Sequence, residues 1–198
     1  MKAILKTAVL LVTTGAFVVS CSKDQNAEKL SLNNDVAIVN PVTTTDTIYG
    51  NYSNPAGPAS GYGVLYLNLT TVPISISSTL DSSHDVKLYL TNNSFVAGVN
   101  DYRVKYIRNT SITNFSSLIP ANFAAASFVD SIGRSTTTPP NGWYTYTPPN
   151  NLTLVTTFYI LASSPTKQDY AIKFTFSGGD GTATSNRGKY IIQYGPIN

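Results

Sequence analysis

Apolar and polar side chains alternate with a period of two residues through most of the chain. The clearest runs in the first half are GVLYLNL (63–69), VPISIS (72–77), DVKLYL (85–90) and YRVKYI (102–107). Successive side chains of a β-strand point to opposite faces, so this pattern is typical of strands with one buried face. Gly, Pro, Asn or Ser bounds each run, as expected where turns separate strands.

The C-terminal third shows the same pattern in NGWYTYTPP (141–149), TFYILAS (157–163), DYAIKFTFS (169–177) and GKYIIQY (188–194). In DYAIKFTFS, the alternation predicts that Tyr170, Ile172, Phe174 and Phe176 share one core-facing side. GGDG at 178–181 predicts a flexible link, so the last two strands are expected to form an antiparallel hairpin with a loop of about ten residues. The whole pattern predicts a single, mainly β domain over about residues 46–198.

Residues 111–140 interrupt the alternation. They contain Pro120 and three consecutive alanines at 124–126, and the run STTTPPNG (135–142) begins near their end. Proline and small polar residues at this density predict a long loop, with room for one short helical turn.

The N-terminus predicts export. Lys2 and Lys6 precede an apolar run over residues 8–19, which is shorter than the roughly 18 to 20 residues that a membrane-spanning helix needs. Residues 1–20 are therefore predicted to be a signal peptide. The segment VVSC at residues 18–21 resembles a bacterial lipobox, in which the cysteine thiol is acylated and the cysteine, here Cys21, becomes the first mature residue. The alternative is a secretory peptide with an incidental cysteine.

The segment after Cys21 predicts a lipid-anchored tether over residues 21–45. It is polar apart from VAIV at 36–39, which predicts at most one early strand. The sequence CSKDQNAEK at its start resembles the export tag that carries some lipoproteins to the outer face of the outer membrane. The expected location is therefore the outer membrane, with the domain facing the cell exterior.

Charge gives no support for a nucleic-acid partner. Without residues 1–20, which hold two lysines and no acidic residue, the formal net charge falls from +3 to +1. The basic residues are scattered except for Arg103, Lys105 and Arg108. Alternate spacing places the first two on one face of a strand, where a solvated sheet face is favoured over an anion site.

The aromatic pattern resembles a known family. The order Gly142-Trp143-Tyr144-x-Tyr146, a strand over 157–162, DYAIKF at 169–174 and an aromatic strand ending at Tyr194 resembles the end of the HmuY-like lipoproteins. Residues 61–69 and HDVKLYLTNN at 84–93 are similar to earlier segments of that family. The resemblance implies an all-β fold, a lipid anchor, and capture of haem or a related tetrapyrrole at the cell surface for delivery to an outer-membrane transporter.

Haem ligation in that family uses two axial side chains, two histidines or a histidine and a methionine, from the region that corresponds here to residues 94–140. That region contains neither residue type, and His84 is the only histidine of the chain. Because His84 aligns with an aromatic position, it is predicted to be a packing residue at a strand end. A histidine with a tyrosinate is the remaining ligand set. Tyr89, Tyr102 and Tyr106 lie in the appropriate half of the domain, and Tyr102 and Tyr106 are, with His84, the candidate ligand-binding residues. The cofactor is thus left open, and no other metal site is predicted.

Catalysis is not predicted. Acid–base chemistry needs paired carboxylates or a histidine with a partner, and the chain after Pro41 has no glutamate. His84 and Asp85 are adjacent, but neighbours in a strand point to opposite faces. No Gly-x-Ser-x-Gly elbow, His-Glu-x-x-His motif or phosphate loop is present.

Three non-catalytic functions fit the sequence: capture of haem or another apolar ligand, adhesion or a structural role at the surface, and docking of a partner protein such as the extracellular loops of a transporter. Two tripeptides, Asp46-Thr47-Ile48 and Asp130-Ser131-Ile132, resemble a pattern at which some bacteria attach O-glycans. The alternative is that the hydroxyls of Thr47 and Ser131 cap turns.

Overall fold

The computed structural model describes residues 43–147 and 151–198. These residues form twelve β-strands and four short 3₁₀ turns, which confirms the all-β prediction. The strands are β1 (Thr44–Tyr49), β2 (Leu65–Asn68), β3 (Ser75–Ser77), β4 (Val86–Tyr89), β5 (Phe95–Gly98), β6 (Arg103–Arg108), β7 (Phe128–Val129), β8 (Tyr144–Thr147), β9 (Asn151–Leu154), β10 (Phe158–Ser163), β11 (Tyr170–Gly181) and β12 (Asn186–Pro196). The predicted signal peptide, Cys21 and the early strand at 36–39 lie outside the described residues.

The strands form three sheets. A six-stranded main sheet has the order β1-β12-β11-β10-β6-β7, a four-stranded second sheet has the order β3-β2-β4-β5, and β8 pairs with β9. Every pair of neighbouring strands is antiparallel, including the hairpin predicted for the last two strands.

The main core contains side chains from all three sheets. Strands β2 and β4 contribute alternate residues, Leu65 and Leu67 from the first and Val86 and Leu88 from the second, as expected of strands with one buried face. The inner face of the main sheet contributes Ile160, Ile172, Phe174, Tyr190, Ile192 and Tyr194. Trp143, which directly precedes β8, is buried in the same cluster.

A second, smaller core lies on the opposite, outer face of the main sheet. Tyr159, Leu161 and Ala171 are covered there by Phe115, Leu118 and Phe123 and by Ile197. The covering aromatics belong to two 3₁₀ turns, Phe115–Ser117 and Pro120–Phe123, within the stretch predicted as a long loop. Because it is covered on both faces, β10 is buried at five successive positions.

The predicted ten-residue loop between the last two strands is wrong. The GGDG segment pairs with β12 as far as Gly181 with Asn186, and only residues 182–185 form the turn. Asp180 and Arg187 are cross-strand partners, and their ion pair of 2.9 Å joins the two strands near the hairpin's end. The glycines therefore continue the strand.

The predicted inward position of Phe176 is also wrong. The register shifts between Phe174, which pairs with Ile192, and Phe176, which pairs with Ile191, so Thr175 is an extra residue in β11. The Thr175 hydroxyl donates to the Ile191 carbonyl at 3.1 Å. This bulge moves Phe176 to the outer face, where its side chain is 42% exposed.

The other predicted strands differ in accuracy. The ends of β2, β4 and β6 lie within two residues of the predicted bounds. The prediction over 72–77 is too long, because β3 begins only at Ser75. Strands β1, β5, β7 and β9 had no counterpart in the alternation, and β7 lies within the stretch predicted as a long loop. The buried pattern of β5 places two adjacent residues, Val96 and Ala97, in the interior, so it shows no period of two.

Candidate functional site

A cleft of about 310 Å³ lies where one end of the main sheet approaches one end of the second sheet. We call it the Asp85 cleft. Its walls come from the end of β2, the turn before β4, the residue before β6 and the segment that leads into β11. The lining residues are Asn68, Thr70, Ser82, Ser83, Asp85, Tyr102, Lys167, Gln168 and Tyr170. This volume lies at the lower end of the roughly 300–1,000 Å³ that is usual for ligand pockets.

Asp85 is the buried acid of the cleft, with 2% of its surface exposed. Its Oδ2 accepts a hydrogen bond from the Leu69 N–H at 2.7 Å. Its own backbone N–H donates to the Leu67 carbonyl at 2.9 Å, which joins the start of β4 to β2. Burial raises the pKa of Asp85, while the Leu69 N–H, the Lys167 ammonium and the Tyr102 hydroxyl stabilise the carboxylate and oppose that rise.

This raised pKa predicts a pH-dependent effect of Asp85→Asn. When a group has a higher pKa in the folded state than in the unfolded state, its protonated form stabilises the fold. That contribution is fully present below the unfolded pKa, about 3.9 for aspartate, and is lost as the pH rises through the folded pKa. Asparagine keeps an oxygen for the Leu69 N–H and does not ionise. The stability of Asp85→Asn relative to the wild type is therefore expected to increase from pH 4 to pH 8, measured by urea unfolding.

Asp101→Asn is the matched control for that experiment, because Asp101 is exposed. An exposed carboxylate loses little hydration on folding, so this variant controls for the substitution itself. A pH-independent difference for Asp85→Asn would contradict the assignment of a costly buried charge to Asp85.

Tyr102, one of the predicted ligand residues, lines the cleft and is almost fully buried. Its hydroxyl donates to the Gln168 carbonyl at 2.8 Å, which holds the segment before β11 against the start of β6. Burial raises the pKa of Tyr102 well above its usual range, and the nearby Asp85 carboxylate adds to the effect. Tyr102 is thus a neutral phenol in this environment.

Lys167 supplies the positive charge at the exposed rim. Its Nζ donates to the Ser82 carbonyl at 3.3 Å and lies 5.7 Å from the centre of the Tyr102 ring. The cleft therefore has a carboxylate in its buried wall and an ammonium at its rim, with phenol, hydroxyl and amide groups between them.

His84 is next to Asp85 in sequence but does not line the cleft. It is 2% exposed, and its Nδ1 lies 3.1 Å from both the backbone nitrogen and Oδ1 of Asp81. Its ring packs at 5.7 Å from the ring of Tyr66, and its carbonyl accepts a hydrogen bond from Asn100 at 2.8 Å. These contacts fasten the turn that leads into β4.

Tyr106, the remaining predicted ligand residue, is in the middle of β6 and away from the cleft lining. Its ring stacks on Phe158 with 4.7 Å between centroids, and it packs against the main core. The structure therefore brings Tyr102 to the cleft, and leaves His84 and Tyr106 in separate packing contacts.

These residues do not fit haem. The His84 ring is buried with Nδ1 engaged, and the Tyr102 hydroxyl is a neutral donor to a carbonyl. Within residues 43–147 and 151–198, no group of three or more His, Cys, Asp or Glu side chains is arranged to hold a metal ion. No helix in the same part of the chain is long and apolar enough to span a membrane.

The two glycan-type tripeptides differ in exposure. Thr47 is exposed on β1, and the Asp46 carboxylate beside it accepts hydrogen bonds from the N–H groups of Thr47 and Ile74, both at 2.7 Å. Ser131 is half-buried, next to Ile132, which forms a bridge with Val96. Modification at either hydroxyl stays a prediction.

The cleft could not have been found by the motif search, because its charged pair is far apart in sequence. Asp85 and Lys167 belong to no spacing pattern, and they meet only through the packing of the two sheets. Comparison with known proteins adds no assignment. No protein-family model and no curated protein matches this chain significantly.

Proposed function

We propose that this chain is a non-catalytic, lipid-anchored protein of the outer membrane that captures a small polar ligand in the Asp85 cleft and delivers it to an outer-membrane transporter. The observation that carries the proposal is the cleft itself, with its buried carboxylate and its rim ammonium. The resemblance to HmuY-like lipoproteins supports the anchor, the surface location and the transporter.

The chemistry of the cleft favours a zwitterionic ligand. Asp85 is complementary to a cationic or hydrogen-bond-donating group, and Lys167 is complementary to an anionic group. The Tyr102 and Tyr170 rings add apolar wall, and Asn68, Thr70 and Gln168 add neutral polar groups. A volume of about 310 Å³ suits a ligand of amino-acid size better than a tetrapyrrole.

Lack of catalysis is part of the same proposal. Asp85 is the only carboxylate among the residues that line the cleft, and no histidine is among them. A lone carboxylate that is hydrogen-bonded to a backbone N–H and raised in pKa lacks the second group that general acid–base catalysis needs.

The experiment is a ligand-binding comparison on the soluble protein that begins after Cys21. The twenty common amino acids serve as probes, and the shift of the thermal midpoint reports binding. At least one probe is expected to raise the midpoint of the wild type, and Asp85→Asn and Lys167→Gln are expected to abolish that shift. Lys87→Gln, on β4 outside the cleft, is the matched control and should retain it.

Haem titration separates this proposal from the tetrapyrrole alternative. We expect no saturable shift of the Soret band in either the oxidised or the reduced state. A saturable shifted band that disappears in His84→Ala would make His84 an axial ligand and overturn assignment of the ligand site to the Asp85 cleft.

Adhesion or a structural role at the surface is the second candidate function. One observation favours it: Tyr49, Tyr52 and Phe176 are exposed aromatic side chains, at 41%, 50% and 42%, on or beside one half of the main sheet. Exposed aromatics grouped on one face are typical of binding surfaces.

A further inference from the structure

The outer face of the main sheet is divided into two halves. The half formed by β6 and β10 is covered by Phe115, Leu118 and Phe123. The other half is formed by β1, β12 and the part of β11 that follows the bulge at Thr175, with β12 between the other two strands. No such cover lies over this half among the described residues. We call this second half the bare face.

Cations on the bare face are held over aromatic rings. The Arg187 guanidinium lies 4.5 Å from the ring centres of both Tyr49 and Tyr52, and Lys189 lies 5.5 Å from the Tyr49 ring. Lys173 lies at the boundary between the two halves: it is half-buried on the outer side of β11, opposite Gln193 of β12, and its Nζ lies 4.8 Å from the ring of Tyr159 in the covered half. Each contact orders a long side chain that would otherwise extend into water.

The acidic residue of the bare face is already satisfied. Asp180 Oδ2 accepts hydrogen bonds from Nε and Nη2 of Arg187 at 3.0 and 2.9 Å and from the Tyr52 hydroxyl at 2.9 Å. Hydrogen bonds from Arg187 and then from Tyr52 lower the pKa of Asp180, so it is ionised near neutral pH. With Arg187 and Asp180 paired, Lys189 gives the face an unbalanced positive charge. Lys173 adds to it from the boundary, where burial lowers the pKa of its ammonium.

Phe176 belongs to neither buried cluster of the described residues. The bulge at Thr175 places it on the bare face, where its ring lies beside Gly178; a Cβ on that glycine would be 2.9 Å from the ring. Bulges commonly re-aim a side chain at functional sites. A bulge that removes a phenylalanine from the core side of a strand exposes apolar surface without a gain in burial.

We propose that the bare face binds a linear anionic polysaccharide. Exposed rings of Tyr52 and Phe176 offer flat surfaces for the C–H faces of sugar rings, and Lys173 and Lys189 offer charges for carboxylate or sulfate groups. From Arg187 to Gln193, β12 spans about 20 Å at its usual rise per residue, which suits several consecutive sugar units. This site is separate from the Asp85 cleft.

Charge and shape together favour a polysaccharide over a membrane. Aromatic rings on this face lie against lysine, arginine or glycine neighbours of the sheet. A surface that enters a bilayer instead presents protruding apolar side chains that bury into the acyl boundary.

The experiment uses the soluble protein that begins after Cys21, with labelled dextran sulfate as the probe and neutral dextran as its uncharged match. The wild type is expected to bind dextran sulfate saturably, more weakly as salt rises, and to bind neutral dextran far more weakly. The double variant Lys173→Gln, Lys189→Gln is expected to bind about tenfold more weakly at low salt. Lys87→Gln, which removes a cation 4.9 Å from the Tyr89 ring on the second sheet, should bind like the wild type.

Phe176→Ala tests the sugar-stacking part separately from charge. It should weaken binding of dextran sulfate and leave binding of polyglutamate, an anionic polymer without sugar rings, unchanged. Circular dichroism checks that each variant is folded. The double variant Lys173→Arg, Lys189→Arg keeps both charges and should bind like the wild type, whereas the glutamine pair binds more weakly.

Sedimentation with vesicles that contain phosphatidylglycerol is run in parallel. Four outcomes would overturn the proposal: no binding of dextran sulfate, equal loss in Lys87→Gln, no effect of Phe176→Ala, or binding only to the vesicles. The last outcome would assign the bare face to an anionic membrane. None of these outcomes bears on ligand shifts at the Asp85 cleft, which are tested with Asp85→Asn.

Discussion

Replacing Trp143 with alanine is expected to lower the free energy of unfolding by about 4 kcal/mol, because a buried tryptophan leaves a large cavity. Trp143 is 2% exposed and stacks on Phe174 with 3.9 Å between ring centroids. The edge of Tyr190 packs against it at 5.6 Å. Its Nε1 donates to the Ser94 carbonyl at 2.9 Å, so the substitution also leaves a buried carbonyl without its donor.

Urea unfolding followed by far-ultraviolet circular dichroism measures this loss, since Trp143 is the only tryptophan and its fluorescence disappears with it. Trp143→Phe is the matched variant: it keeps a stacked ring and loses the N–H donor, with an expected cost of about 1–2 kcal/mol. Equal losses for the two variants would show that the hydrogen bond, and not the ring, dominates.

Asn93→Ala is expected to cost about 3 kcal/mol, because Asn93 joins four backbone groups in the interior. Asn93 is fully buried, and its Oδ1 accepts a hydrogen bond from the Asn51 N–H at 2.8 Å. Its Nδ2 lies within hydrogen-bond distance of three carbonyl oxygens: Gly63 at 3.1 Å, Tyr62 at 3.3 Å and Leu88 at 3.4 Å. Its φ of 55° also lies in the left-handed region, which alanine adopts less readily than asparagine.

Asn92 is the matched control in the same turn. Its φ is 56°, and its buried Oδ1 has no hydrogen-bond partner. Asn92→Gly removes that oxygen and suits the left-handed backbone, so its stability is expected to stay within about 0.5 kcal/mol of the wild type or to rise. The Asn92 carbonyl, which accepts from the Tyr190 hydroxyl at 2.6 Å, is retained in the variant. If Asn92→Gly cost as much as Asn93→Ala in urea unfolding, removing an unpaired oxygen would be as costly as removing the Asn93 hydrogen bonds, which would contradict the role assigned to those bonds.

Alternation predicts strands where one face meets the core and the other meets water. Strands β2, β4 and β6 satisfy that condition and were found within two residues. It fails where burial does not alternate: β5 buries Val96 and Ala97 in succession. It also fails at a bulge, since the extra residue Thr175 is recognisable only from its pairing with β12.

The candidate site was less predictable than the fold. Tyr102 was named from the sequence as a ligand candidate and does line the cleft, but Asp85 and Lys167 carry its charges. Those two residues are brought together by sheet packing, which no local pattern encodes. His84 attracted interest as the single histidine, yet its contacts with Asp81 and Asn100 are those of a turn.

The length of β11 can change by one residue at Thr175 without exchanging the two faces of the sheet. Deleting Thr175 would let Phe176 follow Phe174 directly, still opposite Ile191, and every later pair as far as Gly181 with Asn186 would keep its partner. A deletion elsewhere in the same strand would invert part of it, moving core side chains into water. Divergent descendants of this gene that differ by one codon in the hairpin are therefore expected to differ at this bulge.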